Sequence, residues 1–150
     1  MKRVLFALTA LLVLPSAALA CSCLKTEDPA QLRELAADAA RGAVALVEVE
    51  AVRGYEDSVG AGEDVRITRT LAGAAASSFR IARRPSASSA SCDDLIQTGQ
   101  RKMVILYPAM GGAGGRTYRV SSSCTNLLLS QQVFRDELAR QIGRRAGERG

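Results

Sequence analysis

The segment AVALVEVEAVR, residues 43–53, marks the point where the hydrophobic period of the chain changes from that of a helix to that of a strand. Its side chains alternate between two faces, as successive side chains of a β-strand do. One face carries Val44, Leu46 and Glu48, and the other carries Ala45, Val47, Val49 and Ala51. The alternation and the many valines predict a first strand that reaches Arg53.

Four more strands are predicted downstream, separated by segments rich in glycine, serine and alanine. The second carries Val65, Ile67 and Leu71, the third covers Phe79–Ala82, the fourth covers Lys102–Tyr107 before Pro108, and the fifth covers Thr117–Val120 and ends at Cys124. The fourth is the most hydrophobic, which is typical of a central strand. Gly54–Gly62 is predicted to be a mobile connection, Pro85–Ser91 a flexible loop next to Cys92, and Gly111–Gly115 a turn-rich link.

A helix is predicted on each side of the strands. Asp28 is typical of an N-cap, Pro29 of the first helical position, and Gln31 of a capping box. Apolar residues then recur at helical spacing up to Gly42, namely Leu32, Leu35, Ala36 and Ala39. Ser130 is the predicted cap of the closing helix, whose apolar face carries Val133, Phe134, Leu138 and Ile142.

The predicted fold class is α+β, mainly β. A helix, five strands and a closing helix are compatible with a five-stranded Greek-key barrel of the OB type, with both helices packed on it. The pattern alone does not separate this barrel from other α+β folds.

The first 20 residues have the three regions of a secretory signal peptide. Lys2 and Arg3 precede the apolar run Val4–Leu14, which is far shorter than the roughly 20 residues of a membrane-spanning helix. The small residues of Ala18-Leu19-Ala20 favour ordinary cleavage after Ala20, whereas acylation of Cys21 in a bacterial lipoprotein is the alternative. The expected division is a signal peptide at 1–20, one domain at 21–143 and a basic disordered tail at 144–150. The expected location is secreted or periplasmic.

All four cysteines, Cys21, Cys23, Cys92 and Cys124, lie in the segment predicted to be exported, and an even number there predicts two disulfides. A bond between Cys21 and Cys23 conflicts with the separation of Cα atoms that a disulfide requires. Each N-terminal cysteine is therefore expected to reach a distant partner, and two pairings remain open.

The composition favours a binding module over an enzyme. The 150 residues include 20 Lys+Arg, 15 Asp+Glu and no histidine. The absence of histidine excludes catalytic relays and zinc sites built on that residue, and no cofactor is expected. Few aromatic residues argue against nucleic-acid binding. Two basic clusters could favour an acidic surface or polyanion, although solvated arginines are commoner: Arg80, Arg83 and Arg84, and Arg140, Arg144, Arg145 and Arg149.

Four short motifs together resemble the netrin-like module, which tissue inhibitors of metalloproteinases share with netrins and complement C-terminal domains. The motifs are Cys21-Ser22-Cys23, Ala37-Asp38-Ala39 leading into Val44–Val47, Ser91-Cys92 followed by Gly99 and Val104–Tyr107, and Ser123-Cys124-Thr125. The resemblance spans nearly all of the chain after the predicted signal peptide. It implies the disulfides Cys21–Cys92 and Cys23–Cys124.

The resemblance also implies a function in protein binding. In the inhibitors, the N-terminal cysteine chelates the zinc of a target protease through its α-amine and carbonyl, and the next side chain enters the specificity pocket. Cys21 would be the chelating residue here and Ser22 the pocket residue. The alternatives are a purely structural or interaction domain, a membrane-anchored lipoprotein, soft-metal binding by reduced Cys21 and Cys23, and oligosaccharide binding on the barrel.

Overall fold

The computed structural model describes residue 23 and residues 25–57, 60–82, 96–109 and 117–148. These residues form three helices and five strands. In chain order they are α1 (Pro29–Ala39), β1 (Ala45–Asp57), β2 (Gly60–Gly73), β3 (Ser78–Ala82), β4 (Arg101–Pro108), β5 (Thr117–Val120), α2 (Ser123–Leu128) and α3 (Gln132–Gly147). The segments at 1–22, 83–95 and 110–116 lie outside the described residues, and with them the predicted signal peptide, Cys21, Ser22, Cys92 and two of the predicted loops.

The strands close into a barrel in the order β1-β2-β3-β5-β4, with β4 pairing back to β1. Neighbouring strands are antiparallel except β3 and β5, which are parallel. The prediction of an α+β chain, mainly β, with a five-stranded barrel is confirmed. Each strand pairs with two neighbours in this closed order, although β1 pairs with β4 only from Ala45 to Glu50 and continues to Asp57 along β2.

The alternation predicted for residues 43–53 divides the apolar residues of β1 between two cores. Leu46 points out of the barrel toward α1 and α3, where it packs with Ile105, Phe134 and Leu138. The residues of the other face point into the barrel interior: Ala45, Val47, Val49 and Ala51. Val104 and Leu106 of β4 share that interior, so β4 is buried on both faces, as its hydrophobicity predicts.

Helix α1 begins as predicted, with Asp28 as its N-cap and Pro29 at its first position, but it lacks the predicted capping box. The Asp28 side chain accepts a hydrogen bond from the backbone N–H of Ala30, at 3.0 Å. Gln31 does not complete a capping box with Asp28, because its side chain accepts a hydrogen bond from the Thr26 hydroxyl. Thr26 also accepts from the backbone N–H of Asp28, at 3.2 Å. The Thr26 hydroxyl therefore accepts the hydrogen bond from the N-cap backbone N–H, the role that a capping box gives to the side chain of Gln31.

Helix α3 differs from its prediction at both ends. Its N-cap is Gln131 and not Ser130, whose hydroxyl donates to the Leu127 carbonyl at 2.7 Å and so belongs to the preceding turn. The helix continues to Gly147, so residues 144–147, expected in a disordered tail, are helical. Arg145 explains the extension, since its guanidinium donates to the Ala40 carbonyl at the end of α1.

The segment Gly54–Gly62, predicted to be a mobile connection, is mostly a hairpin. β1 continues to Asp57 and β2 begins at Gly60, with Tyr55 opposite Gly62. A side chain at Gly62 would lie 2.0 Å from the Ile81 carbonyl oxygen, so β2 and β3 approach each other too closely for any other residue. Gly62 therefore permits tight strand packing here.

The fifth strand ends at Val120 and does not continue to Cys124. Residues 123–128 form the short helix α2, which the sequence prediction lacks. Ser122 caps it by accepting a hydrogen bond from the backbone N–H of Thr125, at 3.3 Å. Three consecutive serines are compatible with both a strand end and a helix cap, and six residues are too few for a periodic signal.

Candidate functional site

The N-terminal part of the described chain is anchored by a disulfide. Cys23 bonds to Cys124 across 101 residues, with the two Cα atoms 5.0 Å apart. This is the pair that the netrin-like resemblance implies for Cys23. A disulfide is compatible with an extracellular location. Cys21 and Ser22, the predicted chelating and pocket residues, lie outside the described residues, as does the predicted partner Cys92.

The anchor rests on a rigid support. Cys124 lies in the first turn of α2, and the preceding Ser121 is 7% exposed. The Ser121 hydroxyl bonds to the Asn126 side chain, and the Ser121 backbone N–H donates to the Ile105 carbonyl of β4 at 3.3 Å. The disulfide therefore ties residue 23 to α2, next to the point where Ser121 is hydrogen-bonded to β4.

A cavity of about 260 Å³ opens beside the anchor. Its lining is largely polar and comprises Tyr107, Arg119, Val120, Ser121, Ser122 and Thr125. Burial raises the pKa of Tyr107, whose hydroxyl donates to the Ala39 carbonyl at 2.7 Å. The cavity thus presents hydroxyl groups and one arginine next to the anchored terminus.

A second candidate surface lies on the outer side of the barrel, away from α1 and α3. Asp64 of β2 is placed by the strand register opposite Arg53 on one side and Arg80 on the other. Its two carboxylate oxygens accept from Arg53 Nε at 2.8 Å and from Arg80 Nε at 3.2 Å. The Arg80 guanidinium also lies 4.4 Å from the centre of the Tyr55 ring, a cation–π distance.

Glu50 repeats this arrangement one step along the strands. It lies opposite Arg66 of β2 and Arg101 of β4, with its Oε2 at 3.2 Å from Arg66 Nη2 and 3.5 Å from Arg101 Nε. The hydrogen bond from Arg66, together with the charges of Arg66 and Arg101, holds the pKa of Glu50 below its usual range. We call the whole set the arginine face: Glu50, Arg53, Asp64, Arg66, Arg80 and Arg101.

A cavity of about 600 Å³ lies on the arginine face. Arg53, Arg66 and Arg80 line it together with apolar residues, of which Val52 is 52% exposed. Sequence reasoning singled out only Arg80 among these arginines, as part of a cluster with Arg83 and Arg84, which lie outside the described residues. The relevant signal is the strand register, which brings together residues far apart in sequence.

The second basic cluster of the sequence has partners within its own chain. Arg140 of α3 forms a two-point ion pair with Glu137, at 2.6 and 3.0 Å. Arg144 donates to Gln141, and Arg145 donates to the Ala40 carbonyl. These three arginines therefore stabilise α3 and its contact with α1, whereas Arg149 lies outside the described residues.

Within the described ranges, no group of three or more histidine, cysteine or carboxylate side chains is arranged to hold a metal ion. None of the helices in this part of the chain has the length and apolar character needed to cross a membrane. Comparison with protein-family models, with curated proteins and with solved structures gave no match. The function is therefore inferred from the positions and contacts of the described residues.

Proposed function

We propose that the protein is an exported netrin-like binding module that inhibits a zinc metalloprotease through its N-terminus. The observation that carries the proposal is the Cys23–Cys124 disulfide, which fixes residue 23 on α2. Two residues span at most about 7 Å, so a chain cut before Cys21 would begin close to a rigid support. A terminus held in this way loses little conformational entropy on binding a partner.

In this proposal, Cys21 supplies its α-amine and carbonyl oxygen to the zinc of the target protease. An α-amine has a pKa of about 7.7 to 8.0 and loses its proton readily to a metal ion. Ser22 enters the specificity pocket, and Cys21 forms a second disulfide with Cys92. The polar cavity beside Cys124 offers Arg119 to the rim of the partner.

The barrel order supports the fold part of the proposal. A five-stranded barrel in the order β1-β2-β3-β5-β4, closed by the parallel pair β3 and β5, fits an OB-type Greek key, the architecture expected of a netrin-like module. The arrangement of the helices fits as well, since α1 and α3 pack together on one outer side of that barrel.

The proposal is tested with exported protein assayed against a panel of zinc metalloproteases. Intact mass before and after reduction should give two disulfides and a free N-terminal Cys21, whereas acylated Cys21 would contradict the proposal and indicate a lipoprotein. One alanine added before Cys21 should abolish inhibition, because the amine then no longer reaches the zinc. One alanine added after Gly150 is the matched control. Inhibition that survives the N-terminal alanine, or no inhibition of any protease, would overturn the mechanism.

The residue at position 22 gives a second, independent readout. Ser22→Arg should weaken inhibition of proteases with small or apolar specificity pockets, and Ser22→Ala should retain it. Equal inhibition by both variants across the panel would show that position 22 does not enter the pocket.

A further inference from the structure

We infer that the arginine face binds an acidic segment of a partner protein, one that carries both carboxylate and apolar side chains. This function is separate from the proposed action of the N-terminus, since the face is built on β1, β2, β3 and β4, whereas the terminus is anchored to α2. Helices α1 and α3 pack on the outer faces of β1, β2 and β4 around Leu46, Ala72 and Ile105. The arginine face lies farther along the same strands, where its arginines are exposed to a partner.

Charge selects an anionic partner. The arginine face holds four guanidinium groups and two carboxylates, so it carries excess positive charge. Each carboxylate is shared between two arginines. Neighbouring strands lie about 4.8 Å apart, so Arg53 and Arg80, on either side of β2, present positive charge across about 10 Å. Such a concentration of positive charge attracts an acidic ligand from a distance.

The arginines retain donors for that ligand. The side chains of Arg53 and Arg66 are 74% and 62% exposed. Arg53 contacts Asp64 through Nε, and Arg66 contacts Glu50 through Nη2. A guanidinium has five N–H donors in a planar fork that fits a carboxylate with two parallel hydrogen bonds. A partner carboxylate can therefore bind Arg53 or Arg66 without displacing the ion pair already present.

The apolar residues distinguish a peptide from a polysaccharide. Val52 lies where the register of β1 shifts, between Ala51 and Arg53, and is one of two large apolar side chains exposed among the described residues. Val65 and Phe79 also line the cavity of about 600 Å³, but they are only 2% and 4% exposed and belong to the barrel interior, so Val52 is the apolar side chain that a partner can contact. An acidic peptide can place an apolar side chain against Val52 and its carboxylates on the arginines. A sulfated sugar has no matching apolar group.

The test measures binding of two synthetic peptides to the full mature protein by fluorescence anisotropy. One alternates glutamate and leucine, and the other replaces each glutamate with glutamine. The glutamate peptide should bind more tightly, and its affinity should fall as salt is raised. In R53Q/R66Q the affinity should fall roughly tenfold, because two charge-assisted contacts are lost. R33Q/R41Q makes the same change of charge on α1 and its C-terminal turn, and should leave the affinity nearly unchanged.

Two further variants keep the inference falsifiable if R53Q/R66Q folds poorly. Asp64→Asn removes a competing carboxylate and should tighten binding of the glutamate peptide, whereas Val52→Ser should weaken it without changing the charge. An equal loss of affinity in R33Q/R41Q and R53Q/R66Q would show that net charge alone governs binding. It would overturn the assignment of the binding site to the arginine face. Binding of a sulfated oligosaccharide in preference to the peptide would overturn the choice of partner. No protease enters these assays, so they can fail independently of the inhibitor proposal.

Discussion

At the scale of single residues, Tyr107 links β4 to α1 through one hydrogen bond. Its hydroxyl donates to the Ala39 carbonyl at 2.7 Å, near the C-terminal end of the helix, where carbonyl groups lack helical partners. Tyr107→Phe should lower the free energy of unfolding in urea by about 1 kcal/mol, because the half-buried carbonyl loses its donor. Tyr118→Phe is the control, since the Tyr118 hydroxyl bonds to no described residue. Equal losses in both variants would contradict this assignment.

Glu50 makes the stability of the arginine face depend on pH. Arg66, through its hydrogen bond, and the charge of Arg101 hold the pKa of Glu50 below its ordinary value of 4.5. Its contribution is therefore complete above pH 4.5 and is lost as the pH falls through the lowered pKa. Glu50→Gln should lower the melting temperature at neutral pH, and the difference from the wild type should disappear below both pKa values. A difference that is independent of pH would indicate a packing effect instead, and Glu34→Gln on α1 is the control.

Single residues also define what the sequence predicts of the candidate sites. Cysteine spacing singles out Cys23 and Cys124, because disulfide formation constrains both residue type and compartment. The arginine face is not predictable in this way. Asp64 acquires Arg53 and Arg80 only through the registers of two strand pairs, and bulges in β1 shift one of those registers. A one-residue slip would move each side chain to the opposite face.

At the scale of the elements, substitutions at three glycines distinguish the cost of an unfavourable backbone conformation from the cost of a steric clash. Gly73 has φ +75°, and a Cβ there would lie 2.1 Å from the Val44 carbonyl oxygen. Gly42 has the same φ with nothing within 4 Å, and Gly143 of α3 has neither constraint. Gly73→Ala should cost more than about 2 kcal/mol and Gly42→Ala about 1, while Gly143→Ala should stabilise by about 0.5 to 1. Urea unfolding measures all three, and equal losses at Gly73 and Gly42 would contradict the close approach.

The elements that the sequence predicts correctly are those with a sustained period. The alternation at residues 43–53 and the helical spacing of Leu32 and Ala36 are both found in the structure, because these patterns determine which side chains are buried. The hairpin at residues 54–62 is missed because glycine composition looks the same in a flexible loop and in a close strand approach. α2 is missed because six residues carry too little periodicity, and the added length of α3 depends on the long-range contact from Arg145 to Ala40.

At the scale of the whole molecule, the barrel has two cores that share the same strands. β1 and β4 contribute to the interior through Val47 and Val104, and to the helix-covered side through Leu46 and Ile105. Loosening α1 or α3 therefore removes support from strands that also form the arginine face. Mutations in the outer core should consequently affect the whole fold, because both cores unfold together when they share strands.

The Cys23–Cys124 disulfide connects this stability to the proposed activities. It closes a segment of 101 residues, so C23S/C124S should lower the free energy of unfolding by about 4 to 5 kcal/mol in the chain-entropy limit, measured in guanidinium chloride. Residue 23 is then no longer fixed, so protease inhibition should be lost wherever the variant remains folded. Binding of the acidic peptide should persist there, because β1, β2 and β3 do not depend on the anchored terminus. Joint loss of both activities in a folded variant would contradict the separation of the two sites, and retained inhibition would show that the anchor does not position the N-terminus.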